Sequence, residues 1–386
     1  MRKITPELTD DILQYTTPET VAKDDAIVVQ TYKELRRHIA QLSYANKDCI
    51  LFYRGQTEDY KNAKSGKSTF YPSIYRGDNL KKEELKYRWK KLNKASDILI
   101  QKIKSRYPNK TYVIKRKRIV QWSILQHYEV TETPLIDVTQ SLKVACSFAT
   151  LVNKTDVNYK DTDDYRYVYV FALPYYTNRI SVNSEHYLTN VRLLSVSPPQ
   201  ALRPYYQEGF LIGEDEFNET YTNKEELDLN NRLVAKFKFR DNNDFWGNAG
   251  RALSEEELYP HEDEIGLLCK EVSSELFIEL AKDLNSEITG GDYMAFMRKW
   301  INIEKVLFEY SHRSDPRKQL TSASLIKKIT DQDLRSKLDR ARSQRNILAH
   351  SPNKKLSASD LMKPEDMDGL YEQLIQYYKN CKERNL

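Results

Sequence analysis

The sequence predicts two regions of different fold class: an α+β N-terminal domain with a mixed sheet and helices, followed by an all-α helical bundle. The segments LFYRGQ (51–56) and YVYVFALP (167–174) are rich in β-branched and aromatic residues, which is typical of buried strands. Residues 271–386 contain only two glycines before Gly369 and place apolar residues at helical spacing. We therefore expect a short N-terminal lead (1–27), the α+β domain (28–270) and the bundle (271–386).

A strongly basic segment separates the two predicted strands. Residues 81–118 contain fifteen Lys and Arg residues against three acidic residues, a net charge of +12, whereas the whole chain carries +5. Its pattern predicts a long helix to about Ser105, a turn, and a strand over 111–115. A solvated helix face is one explanation of the charge. Contact with the backbone of RNA or DNA is the other, because so many like charges repel one another without an anion nearby. The candidate contact residues are Lys115, Arg116, Lys117 and Arg118.

The C-terminal region is predicted to be a bundle of several helices. Apolar residues recur at helical spacing over 273–288 and over 295–310, and a last amphipathic helix is predicted from Met362 to Tyr378. A further helix is expected to begin at Thr330, an N-cap candidate, and to end before Ser351-Pro352. Helices of this length and pattern pack against one another through their apolar faces.

The composition is that of an ordinary globular protein. The chain is 40% hydrophobic and 30% charged, and its most apolar run, VYVFAL (168–173), is far shorter than a membrane span. The N-terminus lacks the hydrophobic core of a signal peptide. The four cysteines are far apart, so neither a zinc site nor a disulfide framework is indicated. These features predict a cytoplasmic protein with no membrane partner, no metal and no resident cofactor.

The segment ARSQRNILAHS (341–351) carries the most specific motif. Arg345 and Asn346 precede His350 on one predicted helix, and this Arg-Asn-x-x-x-His pattern resembles the signature of HEPN domains, helical modules that include metal-independent RNases. Each residue also has a structural explanation. A histidine at a helix C-terminus interacts favourably with the helix dipole, and an arginine on an apolar stripe packs its stem and leaves its head in water.

Helical geometry sets a condition on this motif. At about 100° per residue, Leu334, Leu338, Ala341 and Leu348 form one apolar stripe, and Arg345 falls in the middle of it. His350 points roughly 140° away, towards the side of Asn346. One ideal helix cannot aim both side chains at a single phosphate, so the helix end bends or two protomers contribute to one site. A homodimer through the helical region is therefore expected, and the resemblance to HEPN RNases implies the same.

What the HEPN resemblance implies is cleavage of RNA. His350 would act as general base on the ribose 2′-hydroxyl or as acid on the leaving oxygen, and Arg345 would stabilise the charge that develops on the phosphate. The chain would then be a toxin-like or anti-phage effector, acting in abortive infection and controlled by an antitoxin or a phage-derived trigger. In the alternative, the bundle only dimerises the protein and the N-terminal domain is the enzyme.

The N-terminal two-thirds show a second resemblance, to FRG domains. Five separated blocks occur in the family's order: LFYRGQ (51–56), FYPSIYRG (70–77), QHYEVTETPLIDVTQSLKVACSFAT (126–150), RPYYQEGFLIG (203–213) and ELYPHEDEIGLL (257–268). The resemblance covers roughly residues 28–270. Glu129 departs from the family pattern, which usually has glycine at that position, and Val138 stands where the family often has tryptophan.

The residue types in these blocks suggest a pocket. Arg54 follows a strand beside Gly55, where backbone can approach a ligand and the guanidinium can hold a phosphate. Asp137 and Thr139 are expected at the N-terminus of a helix, a position that binds anions. The other candidate pocket residues are Gln126, His127, Gln207 and Glu208. Three alternatives stay open: ADP-ribose transfer from NAD, a buried hydrogen-bond network that only supports the sheet, and nucleotide sensing without chemistry.

Overall fold

The computed structural model describes residues 1–77, 80–108, 112–151, 165–217, 219–260, 262–284, 290–311, 322–350 and 361–383. These residues divide into two compact units. The first unit extends to Ser273 and the second begins at Ser274. The region expected to be an N-terminal lead lies in the first unit, where Ile12 and Val21 are buried in its hydrophobic cores.

The first unit is built on a mixed sheet with eight strands among its described residues, in the order β1-β8-β4-β2-β3-β7-β6-β5. Of these described strands, β1 and β8 pair in parallel, and the other neighbouring pairs are antiparallel. The strands are β1 (Ile27–Val28), β2 (Ile50–Gln56), β3 (Ile136–Thr139), β4 (Tyr165–Leu173), β5 (Ile180–Asn183), β6 (Leu188–Arg192), β7 (Gly209–Gly213) and β8 (Leu233–Arg240).

Helices cover the sheet and connect its strands. They are α1 (Asp10–Leu13), α2 (Tyr32–Ala45), α3 (Lys82–Arg106), α4 (Tyr112–Arg116), α5 (Arg118–His127), α6 (Leu142–Thr150), α7 (Leu193–Val196), α8 (Arg203–Tyr206), α9 (Asn243–Trp246) and α10 (Glu255–Leu258). Helix α11 (Glu264–Leu284) begins in the first unit and ends among the residues assigned to the second. Short 3-10 helices lie at Ser73–Tyr75, Lys224–Leu227, Leu229–Arg232 and Gly247–Ala249. The long predicted helix is confirmed as α3, which ends one residue beyond the predicted boundary.

The central strands are buried on both faces of the sheet. In β4, Val168 and Val170 contribute to a core that also contains residues of α2 and α6, whereas Tyr169 and Phe171 contribute to a second core with Phe70. This division follows from the alternation of side chains along a strand. Near-continuous apolar sequence is the expected result of burial on both faces, which is why the two strongest strand predictions, β2 and β4, are confirmed.

Two local predictions are wrong. Residues 112–116 form helix α4 instead of a strand, because Ile114 is buried and its carbonyl accepts a hydrogen bond from the Gln121 side chain at 2.7 Å. Asp137 and Thr139 lie in strand β3 instead of at the start of a helix, since β3 pairs with both β2 and β7 and α6 begins only at Leu142. In both cases tertiary contacts override a local sequence pattern.

The second unit is helical throughout its described residues. It contains α12 (Gly290–Ser311), α13 (Ser322–Lys327), α14 (Gln332–His350) and α15 (Pro364–Glu383), which share a core around Trp300, Ile303, Leu338 and Leu370. Helix α14 begins two residues after Thr330, and Asp331 is the residue whose side chain accepts the Leu334 N–H, at 3.0 Å. A helical C-terminal region is confirmed, whereas the resemblance to HEPN domains stays a prediction. Among the described residues, none of the helices has an apolar stretch long enough to cross a membrane.

Candidate functional site

A cavity of about 270 Å³ is lined by residues of β2, β3 and the C-terminal end of α5. Six of the seven sequence-predicted pocket residues line it, and Glu208 is the one that does not. The residues that line it are Tyr53, Arg54, Gly55, Arg76, Gln126, His127, Glu129, Asp137, Val138, Thr139, Phe148, Gln207, Gly209 and Tyr259. Segments distant in sequence therefore meet around one polar space.

The Arg-Gly pair of β2 places the arginine at this cavity. Gly55 packs against helix α6 so closely that a Cβ on it would lie 1.8 Å from the Ala145 carbonyl oxygen. The glycine thus permits the contact between β2 and α6, and this contact with protein backbone, rather than the approach of a ligand, explains why the position has no side chain. Arg54, one position earlier, belongs to the opposite face of the strand. Its Nη1 donates to the Asp137 carbonyl oxygen at 2.5 Å.

Asp137 is the carboxylate inside the cavity. His127 Nδ1 lies 3.1 Å from Oδ1, and Gln126 Nε2 donates to Oδ2 at 2.8 Å. Burial raises the pKa of Asp137, but the hydrogen bonds from His127 and Gln126 and the charge of Arg54 outweigh it, so the pKa lies below its ordinary value. The side chain remains 36% exposed. Asp137 therefore offers an ionised carboxylate to whatever occupies the cavity.

A polar network fixes the orientation of Gln126. Its Oε1 accepts hydrogen bonds from Ser73 Oγ at 3.2 Å and from Thr133 Oγ1 at 2.6 Å. Because these donors occupy the amide oxygen, the amide nitrogen is the atom that faces Asp137. His127 is also held in place: its side chain is 2% exposed, and its Nε2 is enclosed without a hydrogen-bond partner among the described residues. A buried lone pair costs less than an unpaired N–H, which favours the tautomer that donates from Nδ1 to Asp137.

Two guanidinium groups give the cavity its positive charge. Burial and the neighbouring charge of Arg76 lower the pKa of Arg54 to about 10. Burial also lowers the pKa of Arg76, an effect that Asp137 partly offsets. Arg54 donates one hydrogen bond, and Arg76 donates one through Nε to the Tyr71 carbonyl oxygen at 3.0 Å, so most of their N–H groups have no acceptor among the described residues. Two like charges held close together with unused donors favour an anion between them.

The mouth of the cavity is formed where α5 ends. The Glu129 N–H donates to the Gln126 carbonyl and the Val130 N–H to the Leu125 carbonyl, the hydrogen-bond pattern of a Schellman motif. Glu129 occupies the left-handed position of this motif, with φ 57°. Glycine is the favoured residue there, which gives a physical reason for the glycine usual in FRG domains and makes Glu129 a strained exception.

An ion pair and two aromatic rings lie beside this mouth. Arg203 Nη1 is 3.6 Å from Glu129 Oε1 and donates to the His127 carbonyl at 2.6 Å. The Arg203 guanidinium also lies 4.9 Å from the ring centroid of Tyr128 and 4.6 Å from that of Tyr259. These contacts hold the Arg203 side chain in place. Tyr259, one of its two aromatic partners, also lines the cavity.

The remaining predicted pocket residues differ in their placement. Thr139 lines the cavity, and its Oγ1 donates to the Glu208 carbonyl at 3.2 Å. Gln207 also lines it, with Nε2 donating to the Leu258 carbonyl at 2.9 Å. Glu208 is exposed and is not among the lining residues; its backbone adopts φ 45°. A role for the Glu208 carboxylate in this cavity is therefore not supported.

Several residues that line the cavity were not predicted from the sequence. Arg76 belongs to a second Arg-Gly pair in the block 70–77, and this repeated dipeptide was the available signal. Phe148 and Tyr259 contribute aromatic surface, and their rings contact each other edge to face at 6.1 Å. Aromatic residues are so frequent in this chain that their identity alone gave no reason to select these two.

The basic segment is partly neutralised by acids from other elements. Lys91 pairs with Glu132 at 3.0 Å, and Arg106 pairs with Glu271 at 3.0 Å. These ion pairs supply some of the anions that the excess charge requires. The candidate nucleic-acid contacts lie at the end of α4 and the start of α5 and are exposed, and one of them pairs with Asp97 at 3.0 Å; they are Lys115, Arg116, Lys117 and Arg118.

The motif of the second unit is described only in part. Leu334, Leu338 and Ala341 are buried, as the predicted stripe requires. Arg345 follows them on α14 and is half-buried. The backbone of Asn346 and His350 belongs to α14, but their side chains lie outside the described residues. The catalytic assignment of these three residues therefore stays a prediction.

Comparison with known proteins bears on part of the first unit. The model of the FRG domain family matches residues 50–158. No curated protein and no solved structure matches the chain. The matched segment contains Arg54, Gln126, His127, Asp137 and Thr139, which all line the cavity. The resemblance of this segment to the FRG domain is confirmed, and it includes most of the candidate pocket.

Proposed function

We propose that the cavity of the first unit binds a ribonucleotide or a related nucleoside phosphate. The observation that carries this proposal is the presence of the Asp137 carboxylate and the Arg54 and Arg76 guanidinium groups on the walls of one cavity. Either kind of group alone would fit many ligands. Together they fit a molecule that carries both an anion and hydroxyl donors.

The guanidinium groups would hold the phosphate. Arg54 and Arg76 have planar sets of N–H donors that match phosphate oxygens, and such charge-assisted hydrogen bonds are about twice as strong as neutral ones. An anion between the two groups would also relieve the repulsion that lowers the pKa of Arg54. Phosphate binding is thus favoured by the hydrogen bonds it makes and by the repulsion it removes.

The other walls fit the rest of a nucleotide. Asp137 keeps lone pairs that can accept hydrogen bonds from ribose hydroxyls, since its two oxygens each have one partner. Phe148 and Tyr259 offer aromatic surface for a base. The volume of about 270 Å³ lies just below the range of roughly 300–1,000 Å³ typical of small-molecule sites. We therefore propose a ligand no larger than one nucleoside phosphate for the cavity itself, and a dinucleotide such as NAD would extend through the mouth.

Calorimetric titration with AMP, ADP-ribose and NAD tests this proposal. Wild-type protein should bind at least one of these ligands, and Arg54→Gln should weaken that binding. Arg179→Gln is the matched control, because Arg179 is exposed and does not line the cavity. Equal affinities of the wild type and Arg54→Gln would contradict the proposal.

We further propose that the second unit cleaves RNA, which would make the chain a toxin-like or anti-phage effector with the first unit as sensor or RNA-recruiting module. Support comes from α14, which continues through the motif to His350 while the apolar stripe before Arg345 is buried in the helical core. In the reaction, the 2′-oxygen attacks phosphorus and displaces the 5′-oxygen, which takes up a proton and leaves as a hydroxyl; His350 would accept the proton of the 2′-hydroxyl or donate the proton to the leaving oxygen. Arg345 would stabilise the charge on the phosphate, and the product would carry a 2′,3′-cyclic phosphate.

Two measurements test this second proposal. Purified protein should cleave RNA in the presence of EDTA, and light scattering should show a homodimer, because a composite site needs two motif helices. A monomer under assay conditions would contradict the composite site.

ADP-ribose transfer from NAD is the alternative activity. It would have to use Asp137 or Glu129, the carboxylates of the cavity lining, and incubation with labelled NAD would reveal it.

A further inference from the structure

Glu129 keeps an acidic side chain at a backbone position that favours glycine. It ends α5 in the left-handed conformation, with φ 57°, and its side chain is 72% exposed at the rim of the cavity. A non-glycine residue in this conformation is strained, and strained backbone clusters at functional sites. The side chain itself makes one ion pair, with Arg203.

The charges at the rim and in the interior are arranged differently. In the interior, Arg54 and Arg76 face a single carboxylate, Asp137. At the rim, Arg203 is 18% exposed and fixed by Tyr128, Tyr259 and the His127 carbonyl, and Glu129 lies 3.6 Å from it. The carboxylate of Glu129 thus cancels a fixed cation that would otherwise extend the positive potential of the interior to the outside.

We propose that Glu129 sets the charge selectivity of the cavity, an inference that rests on the proposed nucleotide site. A phosphate reaches Arg54 and Arg76, while Glu129 disfavours any further negative charge at the rim. The ligand class is therefore a nucleoside monophosphate, or a dinucleotide whose outward end is neutral or cationic. Nucleoside triphosphates carry further negative charges, which the Glu129 carboxylate of the cavity lining disfavours, and they are selected against.

The expected size of this effect follows from exposure. A charge at contact distance in a water-like environment changes an interaction by about 1 kcal/mol, which corresponds to roughly fivefold in affinity. Salt should reduce the effect, because exposed charges are screened. The selectivity should therefore be modest and largest at low ionic strength.

Dissociation constants of AMP and ATP, measured by calorimetry without divalent cations, test the proposal. Wild-type protein should prefer AMP, and Glu129→Gln should reduce this preference by about fivefold, since it removes the charge and keeps the side-chain size. Glu208→Gln is the matched control: Glu208 is also acidic, exposed and left-handed at φ 45°, but it does not line the cavity. It should leave the preference unchanged.

A second variant separates charge from backbone strain. Glu129→Gly should shift the preference as Glu129→Gln does and should also raise the melting temperature, because glycine is unstrained at this position. A shift with Glu129→Gly but not with Glu129→Gln, or the same shift with Glu208→Gln, would overturn the proposal. Wild-type binding with an unchanged preference in both Glu129 variants would overturn it while leaving the nucleotide site intact. Failure of the wild type to bind any nucleotide would overturn the site itself and the inference with it.

Discussion

The candidate residues of the first unit lie on different elements, whereas those of the second unit lie along one helix. Arg54 in β2 and Asp137 in β3 meet because these strands are neighbours in the sheet, and His127 joins them from the end of α5. Arg345 and His350 instead follow each other on α14. Strand pairing and helix packing direct several side chains into one cavity. Arg345 and His350 are separated by roughly 140° around an ideal helix, so they need a second surface to form one site.

Because of this difference, we expect substitutions in the two units to have different effects on function and stability. In the first unit, the residues that position the cavity are also packed into the fold, so binding and stability should often change together. In the second unit, the motif lies at the end of a helix whose buried stripe is formed by other residues. Substitution of His350, at the end of α14, should change activity with little effect on stability, whereas substitution of the half-buried Arg345 should also change assembly.

The largest effect is expected on the rate of RNA cleavage, from substitution of His350 in α14. His350→Ala should lower the rate of RNA cleavage by about 10²–10⁴, the usual loss when a positioned acid or base is removed, and should leave helix content unchanged. The measurement is the rate of product formation in EDTA, with circular dichroism as the folding check. Lys337→Ala is a suitable control, because Lys337 lies on the exposed side of the same helix and pairs with Asp333. An undiminished rate in His350→Ala would remove the catalytic assignment.

The next largest effect is expected on stability, from the packing of β2, the strand that carries Arg54. Gly55→Ala should destabilise the first unit by about 3 kcal/mol, because the new Cβ would meet backbone of α6 that cannot move aside as a side chain can. Urea unfolding measures the change. In the second unit, Gly369→Ala in α15 should stabilise by about 0.5–1 kcal/mol, since nothing lies near the added Cβ and alanine favours helix. If the two substitutions changed the free energy of unfolding by similar amounts, the close contact between β2 and α6 would not require glycine at position 55.

Arg54 should contribute to binding more than to stability. Arg54→Gln should raise the dissociation constant of the bound nucleotide by about tenfold or more, as expected for the loss of a charge-assisted hydrogen bond. The pKa of Arg54, about 10, lies below its ordinary 12.5, so the charged form opposes folding at all pH values below 10. This opposition disappears as the pH rises from 10 towards 12.5. At neutral pH, Arg54→Gln removes this opposition but also removes the hydrogen bond to the Asp137 carbonyl and the charge that stabilises the Asp137 carboxylate, so the free energy of unfolding should change little. A large loss of stability in urea unfolding would assign Arg54 a structural role.

The smallest effect is expected for the exposed basic residues. Replacing Lys115, Arg116, Lys117 and Arg118 with Glu should weaken RNA binding and reduce its salt dependence. The slope of the logarithm of affinity against the logarithm of salt concentration should become shallower by about 0.7 for each phosphate of single-stranded RNA that the variant no longer neutralises. Fluorescence anisotropy over a salt series measures this slope. An unchanged slope would identify these residues as an ordinary solvated surface.

Much of the fold and part of the site could be predicted from the sequence. Strands β2 and β4 are buried on both faces, so their apolar runs are continuous and easily recognised. Arg54, Gln126, His127 and Asp137 were grouped from separate blocks of sequence, and the structure brings them to one cavity. Such blocks combine unusual residue types in a fixed order, and this order can be recognised without knowledge of the tertiary structure.

The remaining features depend on tertiary interactions that the sequence does not display. Residues 112–116 have the composition of a strand, but the burial of Ile114 and the hydrogen bond from Gln121 belong to the tertiary structure. Glu208 is adjacent to Gln207, and yet only Gln207 lines the cavity, because the left-handed backbone at Glu208 turns the chain there. The rim pair of Glu129 and Arg203 joins residues far apart in sequence, and nothing local marks them as partners.

One set of measurements on three proteins tests the central claim, that the cavity of the first unit binds the nucleotide and the helical unit cleaves RNA. Wild type, Arg54→Gln and His350→Ala are each measured for nucleotide binding by calorimetry, for RNA cleavage in EDTA and for turnover of labelled NAD. His350→Ala should lose RNA cleavage and keep nucleotide binding, and Arg54→Gln should lose nucleotide binding. If Arg54→Gln abolishes catalytic turnover while His350→Ala retains it, the first unit is the enzyme and the account is contradicted.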